Sequence, residues 1–328
     1  MSAYSVAGPE ATESGRWSHI AERGSLLGMR CAVWCHRAFG RRAVLALAHL
    51  VVVYFFLTDR AGRAASRDYL RRLWSTPEGR EALARPPGTW QSFLHYREFA
   101  ISIVERLSLW FGEGDEFSFE VQGNEHADRL AAEGRGGIVL GAHLGSFDAL
   151  RLLADRQQRI VNVLMFTAHA RRINAIFREL SPDAEARVIE IDPGSVQSVF
   201  EIRERVRRGE LIALLGDRIE PGDRTRASRV PFLGGSVLLP HAPFLLAGLL
   251  GCPVLLMIAL RAGPSHYEVF TEKLAERVDL PRRERDEAVT ELLAAYAGRL
   301  EHYCKRSPYQ WFNFYDYWQD GASSGGTA

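Results

Sequence analysis

Between residues 138 and 260, short apolar runs alternate with amphipathic stretches, and this alternation constrains the fold more than any other feature of the chain. The apolar runs lie at residues 138–142, 160–166, 188–191, 211–215 and 254–260. Apolar runs of this length are typical of buried strands. The amphipathic stretches that separate most of them begin near Phe147, Arg171, Ser195 and Pro240. The pattern predicts an α/β fold with a largely parallel central sheet flanked by helices.

The carboxyl half contains a longer apolar stretch, residues 239–260, which resembles a membrane span in length. The residues that interrupt it are Pro240, Pro243, Gly251 and Pro253. Because proline and glycine limit helices, we expect a helix followed by a strand. A last helix is predicted over residues 285–306, before an aromatic segment at residues 309–315.

The amino-terminal quarter has its own apolar run, residues 43–57, in which His49 is the only strongly polar residue. A membrane span needs about 20 apolar residues, so this run is short. From residue 16 to residue 85 there are 13 arginines and five acidic residues. Since arginines bind anionic headgroups, a membrane-associated helix embedded in one leaflet is favoured over a buried core helix.

The composition of the chain indicates which partners and which cellular compartment to expect. The 41 basic and 40 acidic residues give a net charge of +1, so no global field attracts nucleic acid. The four cysteines form neither a disulfide framework nor a zinc motif, and the first fifteen residues lack a signal peptide, which predicts a cytoplasmic setting. The predicted organisation is a disordered tail (1–15), a basic membrane-associated helical module (16–88), an α/β domain (89–320) and a second disordered tail (321–328).

His143 follows the first apolar run, and Asp148 lies five positions further on. On one continuous helix these side chains would point about 140° apart, so they can meet only across a junction from loop to helix. Gly145 permits such a turn, and Ser146 is suited to cap the helix. Asp148 would then orient His143 as a general base at the carboxyl edge of the sheet. The alternative is a helix-capping carboxylate beside an unrelated histidine.

The motifs that the chain lacks narrow the chemistry of this histidine. There is no Gly-x-Ser-x-Gly elbow, no Walker sequence and no dinucleotide fingerprint, and one His–Asp pair is too small a ligand set for a metal. We therefore expect His143 to remove a proton from an alcohol or amine that attacks an acyl thioester directly, without an acyl-enzyme. Backbone N–H groups at Gly145 and Ser146, or an arginine, would stabilise the oxyanion.

Four motifs resemble those of the bacterial lipid A biosynthesis (late) acyltransferases, within the lysophospholipid acyltransferase-like superfamily. They are His143-x4-Asp148, residues 208–217 (RGELIALLGD), residues 230–234 (VPFLG) followed by an apolar helix and residues 251–254 (GCPV), and residues 308–311 (PYQW). The resemblance covers most of the chain, from about residue 17 to residue 318.

The resemblance implies an acyltransferase that needs no permanent cofactor and takes acyl groups from acyl carrier protein or coenzyme A. It implies that His143 is the base, that Asp148 is its partner and that Asp217 lies at the wall of the site. It also implies that the amino-terminal apolar helix holds the enzyme on the cytoplasmic face of the bacterial inner membrane. The acceptor stays open between a lipid A precursor and another membrane lipid, such as an aminoacyl lipid, a glycolipid or a polyene lipid.

Arginines that follow predicted strands are candidates for binding a headgroup phosphate or the carrier's phosphopantetheine, although each is also consistent with a solvated surface charge. We select Arg171 with Asn174 beside it, Arg218 and Arg229. The predicted partners are the acyl donor, the lipid acceptor and the membrane surface. Two alternatives stay open: a thioesterase or lipid esterase, in which water replaces the acceptor, and a non-catalytic membrane-binding protein of the same fold.

Overall fold

Strands and helices alternate along the part of the chain that this computed structural model describes, which is residues 26–166, 188–191, 196–219 and 226–318. The helices are α1 (Leu26–Thr58), α2 (Arg60–Trp74), α3 (Pro77–Leu83), α4 (Thr89–Trp110), α5 (Glu125–Ala132), α6 (Phe147–Arg156), α7 (Val196–Arg207), α8 (Ala242–Leu250) and α9 (Arg285–Arg306). The strands are β1 (Ser118–Gln122), β2 (Gly137–Gly141), β3 (Val161–Phe166), β4 (Val188–Ile191), β5 (Leu211–Leu215), β6 (Ala227–Phe232), β7 (Gly235–Pro240), β8 (Val254–Gly263) and β9 (His266–Ala275). Each apolar run predicted as a strand is a strand.

Seven of the described strands form one sheet in the order β1-β9-β8-β2-β5-β3-β4. Strands β8, β2, β5, β3 and β4 run parallel to one another, and β9 pairs antiparallel with β8. Strand β1, at the edge, runs parallel to β9. Strands β6 and β7 form a separate antiparallel hairpin. The predicted largely parallel central sheet is confirmed, whereas β1, β9 and the hairpin were not predicted.

Helices cover both faces of this sheet because its central strands are apolar on both sides. In β2, Ile138 and Leu140 join the main core together with Phe244 of α8. Val139, between them, belongs to a second core with Ala154 of α6. Successive side chains of a strand point to opposite faces. A strand buried on both faces has a continuous apolar sequence, which is why these strands are visible in the sequence.

The stretch at residues 239–260 divides as predicted. Strand β7 ends at its start, α8 occupies its middle, and β8 begins at Val254. Gly251 ends α8 in a left-handed conformation with φ 62°, which glycine adopts at little cost. The last helix, α9, also has the predicted limits. The helix predicted to begin near Arg171 lies outside the described residues.

The amino-terminal helix α1 is longer than the apolar run at residues 43–57. Within the described residues it is the one helix long and apolar enough to cross a membrane, over Cys31–Thr58. Only 17% of its most apolar 18-residue window is buried. The helix bends at Gly40, whose backbone is not helical (φ 74°, ψ 178°). Length and composition therefore permit a span, where the run alone predicted a helix in one leaflet.

Two faces of α1 differ in what they contact. Leu50, Tyr54 and Leu57 are exposed, at 70%, 63% and 69% of their surface. Val52 and Phe56 are buried in a cluster with Tyr96 of α4. One side of α1 is thus fastened to the protein, and the other side presents large apolar side chains outward.

Helix α2 packs directly on the sheet domain. Tyr69, Leu70 and Leu73 are buried in the main core, and the Tyr69 ring centroid lies 4.9 Å from that of Trp311. Helix α4 begins at Thr89, where the sequence predicts the second module to begin. The limits of the modules stay predictions, and both tails, 1–15 and 321–328, lie outside the described residues.

Candidate active site

The ends of two neighbouring strands bring His143 and Asp217 together. Strands β2 and β5 are parallel, with Gly141 opposite Leu215. His143 and Asp217 each stand two positions after these paired residues. Because the carboxyl ends of parallel strands meet at one edge of a sheet, the two side chains reach the same point.

Asp217 holds His143 through two hydrogen bonds. Its Oδ1 lies 2.8 Å from Nδ1 of the imidazole, and its Oδ2 accepts the backbone N–H of His143 at 3.0 Å. The Asp217 side chain is fully buried. A carboxylate that binds both the ring and the main chain of one residue fixes the orientation of that ring.

The segment that follows α9 supplies further donors to Asp217. Trp311 Nε1 and Asn313 Nδ2 each donate to Oδ2 at 3.1 Å. Phe312 N donates to the carbonyl oxygen of His143 at 2.7 Å. The aromatic segment predicted at residues 309–315 therefore hydrogen-bonds to both residues of the pair, to the side chain of Asp217 and to the backbone of His143.

The charges of the pair follow from their surroundings. Burial raises the pKa of Asp217. The charge and hydrogen bonds of His143 and the charge of Arg218 lower this pKa by more than burial raises it, so it lies below its usual range. Burial lowers the pKa of His143; Asp217 opposes this, and the charges of Arg218 and Arg106 add to it. The net pKa of His143 lies below 6.5. At neutral pH Asp217 is therefore ionised and His143 is neutral.

These charge states decide which nitrogen of His143 carries the proton. An ionised carboxylate only accepts, so Nδ1 carries the hydrogen and donates it to Asp217. Nε2 keeps a lone pair, and no residue in the described part of the chain hydrogen-bonds to it. The side chain is 28% exposed. A neutral imidazole with Nδ1 held and Nε2 free is the arrangement of a general base.

The turn after His143 has the predicted capping residue. Ser146 is the N-cap of α6, and its Oγ accepts from the N–H of Ala149 at 3.2 Å. Gly145 has φ +71°, and a Cβ at this position would overlap the carbonyl oxygen of Ala259. The N–H groups of Gly145 and Ser146 donate to the carbonyls of Gln310 and Ala259. They are thus occupied, and the expectation that they bind an oxyanion was wrong.

Asp148 does not orient His143, contrary to the prediction. Its Oδ2 accepts from Nε of Arg106 at 2.7 Å, and its Oδ1 accepts from Nε1 of Trp110 at 3.1 Å. Both donors lie on α4. As predicted, Asp148 stands in the first turn of α6. Helix α4 packs beside that turn, and its side chains hydrogen-bond to both oxygens of the carboxylate.

The predicted arginines have different positions. Arg218 donates from Nε to Asn313 Oδ1 at 2.7 Å and from Nη2 to the carbonyl of Phe312 at 3.0 Å, so it holds the segment that completes the site. Arg229 is an exposed residue of β6, and its role in binding stays a prediction. Arg171 and Asn174 lie outside the described residues.

The family resemblance implied that Asp217 lies at the wall of the site, and the bond of Asp217 to His143 was not predicted. A signal existed, because His143 stands one position after the predicted strand at residues 138–142, and Asp217 stands two positions after the one at residues 211–215. That signal becomes useful only when β2 and β5 are known to be neighbours. Arg106 was missed because nothing in its local sequence marks it.

Comparison with known proteins adds the family. A family model described as bacterial lipid A biosynthesis acyltransferase matches residues 94–320, which is more than half of the chain and contains the whole described sheet, His143 and Asp217. A comparison with curated proteins finds no match.

Proposed function

Because the chain belongs to the bacterial lipid A biosynthesis acyltransferase family and is therefore an acyltransferase, we propose that it moves a fatty acyl chain from an acyl-carrier-protein or coenzyme A thioester to a hydroxyl or amine of a membrane lipid. The acceptor is a lipid A precursor or a related glycolipid or aminolipid. One observation carries the mechanism: Asp217 binds Nδ1 of His143, and no residue in the described part of the chain hydrogen-bonds to Nε2, which can therefore accept a proton.

Attack begins with proton removal. Nε2 of His143 takes the proton from the acceptor hydroxyl or amine while the acceptor oxygen or nitrogen forms a bond to the thioester carbonyl carbon. The electrons of the C=O bond move to oxygen and give a tetrahedral oxyanion. The ionised Asp217 stabilises the imidazolium that forms, since Nδ1 remains its donor.

Collapse of the oxyanion completes the transfer. The carbonyl forms again, the C–S bond breaks, and the thiolate leaves and takes the proton from Nε2. A thiol has a pKa of about 8.5, so its thiolate needs little acid assistance. No serine, threonine or cysteine in the described residues hydrogen-bonds to Nε2, which favours direct transfer over an acyl-enzyme.

Attachment to the cytoplasmic face of the inner membrane through α1 is part of this proposal. The outward side of the helix carries Leu50, Tyr54 and Leu57, and arginines flank it in sequence. The transfer of large apolar side chains from water to the hydrocarbon layer is favourable, and so is the binding of arginines to anionic headgroups. The helix would keep the site beside its lipid substrate, while the thioester donor reaches it from the cytoplasm.

Incubation of the full-length protein with a radiolabelled acyl thioester, with and without membrane lipid, tests the reaction. Label in lipid supports transfer. Label only in free fatty acid indicates a thioesterase and overturns the proposal. Parallel assays with acyl carrier protein and coenzyme A thioesters identify the donor, and lipid A precursor against total membrane lipid identifies the acceptor.

A pair of histidine variants tests the base. His143→Ala should lower the transfer rate by ~10²–10⁴, which is the usual contribution of a general base. His302→Ala removes an exposed histidine of α9 and should leave the rate unchanged. Equal transfer rates in wild type and His143→Ala would contradict the mechanism, whereas no transfer above background by wild type would support a non-catalytic protein.

A further inference from the structure

Asp148 links α6 to α4 through both of its oxygens. Arg106 Nε donates to Oδ2 at 2.7 Å, and Trp110 Nε1 donates to Oδ1 at 3.1 Å. The two donors are four positions apart on α4, so they lie on one face of the helix. The Asp148 side chain is only 10% exposed. This geometry fixes the guanidinium of Arg106 against a rigid partner.

The outer edge of this guanidinium makes no hydrogen bond to the described residues. Asp148 takes Nε, and neither Nη of Arg106 has a hydrogen-bond partner within the described ranges. The Arg106 side chain is 39% exposed. Two free N–H groups on one planar edge are the donor pattern that binds two oxygens of one anion.

Arg106 also lies close to the base. Burial is the main cause of the low pKa of His143, and the positive charge of Arg106 contributes to it. The base and the guanidinium are further linked through the chain, because Asp148 stands in the first turn after the loop that carries His143. An anion bound to Arg106 would therefore lie in the neighbourhood of the imidazole.

An apolar strip on α4 leads to Arg106. Phe99 and Ile103 are 38% and 37% exposed and precede Arg106 by seven and three positions, on the same side of the helix. The Phe99 ring centroid lies 5.3 Å from that of Phe312, whose N–H binds the His143 carbonyl. The strip and the charge together form an amphiphilic wall beside the site.

A second arginine shows what a purely structural pair looks like in this protein. Arg41 uses Nη1 on Ser265 and Nη2 on Glu105, and its side chain is 17% exposed. Both Nη atoms face protein oxygens there. Arg106 differs, because neither of its Nη atoms has a hydrogen-bond partner within the described ranges and 39% of its side chain is exposed, so joining the two helices uses only part of its donors.

We propose that Arg106, held by Asp148, binds a phosphate group of one of the two substrates. The proposal rests on the proposed function, which supplies two sources of this chemistry. One is the phosphate of the phosphopantetheine arm or coenzyme A on the acyl donor. The other is a phosphorylated headgroup on the acceptor lipid. Arg106 is a binding residue in this scheme, and Asp148 is a positioning residue.

Kinetics of Arg106 variants test the proposal. Arg106→Ala should raise the KM for the phosphate-bearing substrate by about 10- to 100-fold, since a hydrogen bond to a charged group contributes this much, with a smaller change in kcat. Arg106→Lys keeps the charge but loses the planar pair of donors, and should recover only part of the affinity. Arg97→Ala is the matched control, because Arg97 lies on the same helix with the same 39% exposure; its KM values should equal those of wild type.

Phosphate-free substrates identify the source. With an acyl-N-acetylcysteamine thioester as donor, the effect of Arg106→Ala should vanish if the phosphate belongs to the donor. With a phosphatase-treated lipid acceptor, it should vanish if the phosphate belongs to the acceptor. An effect of unchanged size with both phosphate-free substrates would overturn the proposal.

A binding measurement separates this proposal from the proposed function, because it needs no turnover. Calorimetric titrations of the full-length protein compare 4′-phosphopantetheine with pantetheine, and phosphatidic acid with diacylglycerol in detergent micelles. Wild type should prefer one phosphorylated probe by tenfold or more, and Arg106→Ala should lose that preference. A preference that Arg106→Ala retains, or its absence in wild type, would overturn the phosphate site. Failure of acyl transfer alone would overturn only the proposed function.

Asp148→Asn tests the positioning role. The amide keeps the shape of the side chain but loses the charge that holds Arg106, so we expect the same KM to rise as in Arg106→Ala. The double variant should add little to either single change, since both remove one interaction. Fully additive effects on KM would show that Asp148 does not act through Arg106.

Discussion

Asp217 is the residue whose replacement tests the proposed catalytic pair most directly. We expect Asp217→Asn to lower kcat by about 10²- to 10⁴-fold, because a neutral amide neither fixes the Nδ1–H tautomer nor stabilises the imidazolium. The measurement is kcat at saturating donor and lipid, with the thermal unfolding midpoint followed in parallel.

An exposed aspartate provides the control for this change. Asp279 pairs with Arg277 at the surface, and Asp279→Asn should leave kcat unchanged. A folded Asp217→Asn protein that keeps kcat within about twofold of wild type would show that the buried pair does not drive proton transfer, given that a general base contributes ~10²–10⁴.

The pH dependence of kcat/KM should report the ionisation of His143. The protonated ring cannot accept a proton, so activity falls as the pH drops through its pKa, which lies below 6.5 because of burial. The neutral, active form of His143 should thus predominate at pH 7. Asp217→Asn removes an interaction that raises this pKa, so the acid limb of the residual activity should move to lower pH. An acid limb above pH 6.5 in wild type would contradict this account.

At this scale the sequence predicted His143 as the base, a role that stays a prediction, but it did not predict the carboxylate that binds the ring. His143 is recognisable because a polar residue follows a run that reads as a buried strand. The choice between Asp148 and Asp217 depends on which strands are neighbours and on where α4 packs. Neither property is encoded in local spacing, so the nearer carboxylate was chosen wrongly.

Among the elements, the loop between β2 and α6 has little room for change at Gly145. Gly145→Ala places a Cβ against the carbonyl oxygen of Ala259, with φ +71° as an added cost. We expect a loss of about 1–2 kcal/mol from the left-handed backbone and a further ~1–3 kcal/mol from the overlap. Denaturant unfolding measures the sum.

Gly134→Ala separates the two costs. Gly134 has φ +64°, and a Cβ there would meet no atom within 4 Å. This variant should show only the backbone cost of about 1–2 kcal/mol. Equal losses in the two variants would mean that the close approach of Gly145 to β8 adds no constraint.

The strands that were predicted and those that were missed differ in burial. Strand β2 is buried at each of its positions, and such a strand appears as an apolar run. Strand β1 alternates exposed and half-buried residues, and β9 contains several partly exposed positions. Their sequences contain charged residues that local apolar patterning does not assign to a sheet. The order of the strands depends on pairing between strands that are far apart in the sequence, so local sequence patterns could not predict it.

For the whole molecule, the outward face of α1 determines the predicted membrane attachment. Leu50→Glu, Tyr54→Glu and Leu57→Glu together should move the protein from the membrane pellet to the supernatant, because each large apolar side chain gains ~1.5–3 kcal/mol on leaving water. Substitution is a cleaner test than removal of residues 1–60, since Val52 and Phe56 also pack against α4.

Exposed apolar residues elsewhere provide the matched control. Ile160, Phe200 and Leu249 are 50%, 58% and 65% exposed and lie outside α1. Their replacement by glutamate should leave the protein in the pellet. Retention of the α1 triple variant in the pellet, at wild-type thermal stability, would place the membrane contact on another surface.

The hydrogen bonds that Trp311 and Asn313 donate to Asp217 also have a consequence in time. These residues are translated 94 and 96 positions after the carboxylate they contact. A nascent chain that already contains the ends of β2 and β5 therefore still lacks two of the donors that hydrogen-bond to Asp217. We expect an incomplete chain on the ribosome not to transfer acyl groups from thioesters. Transfer should start only after the segment that contains Trp311 and Asn313 has left the ribosome and packed against Asp217.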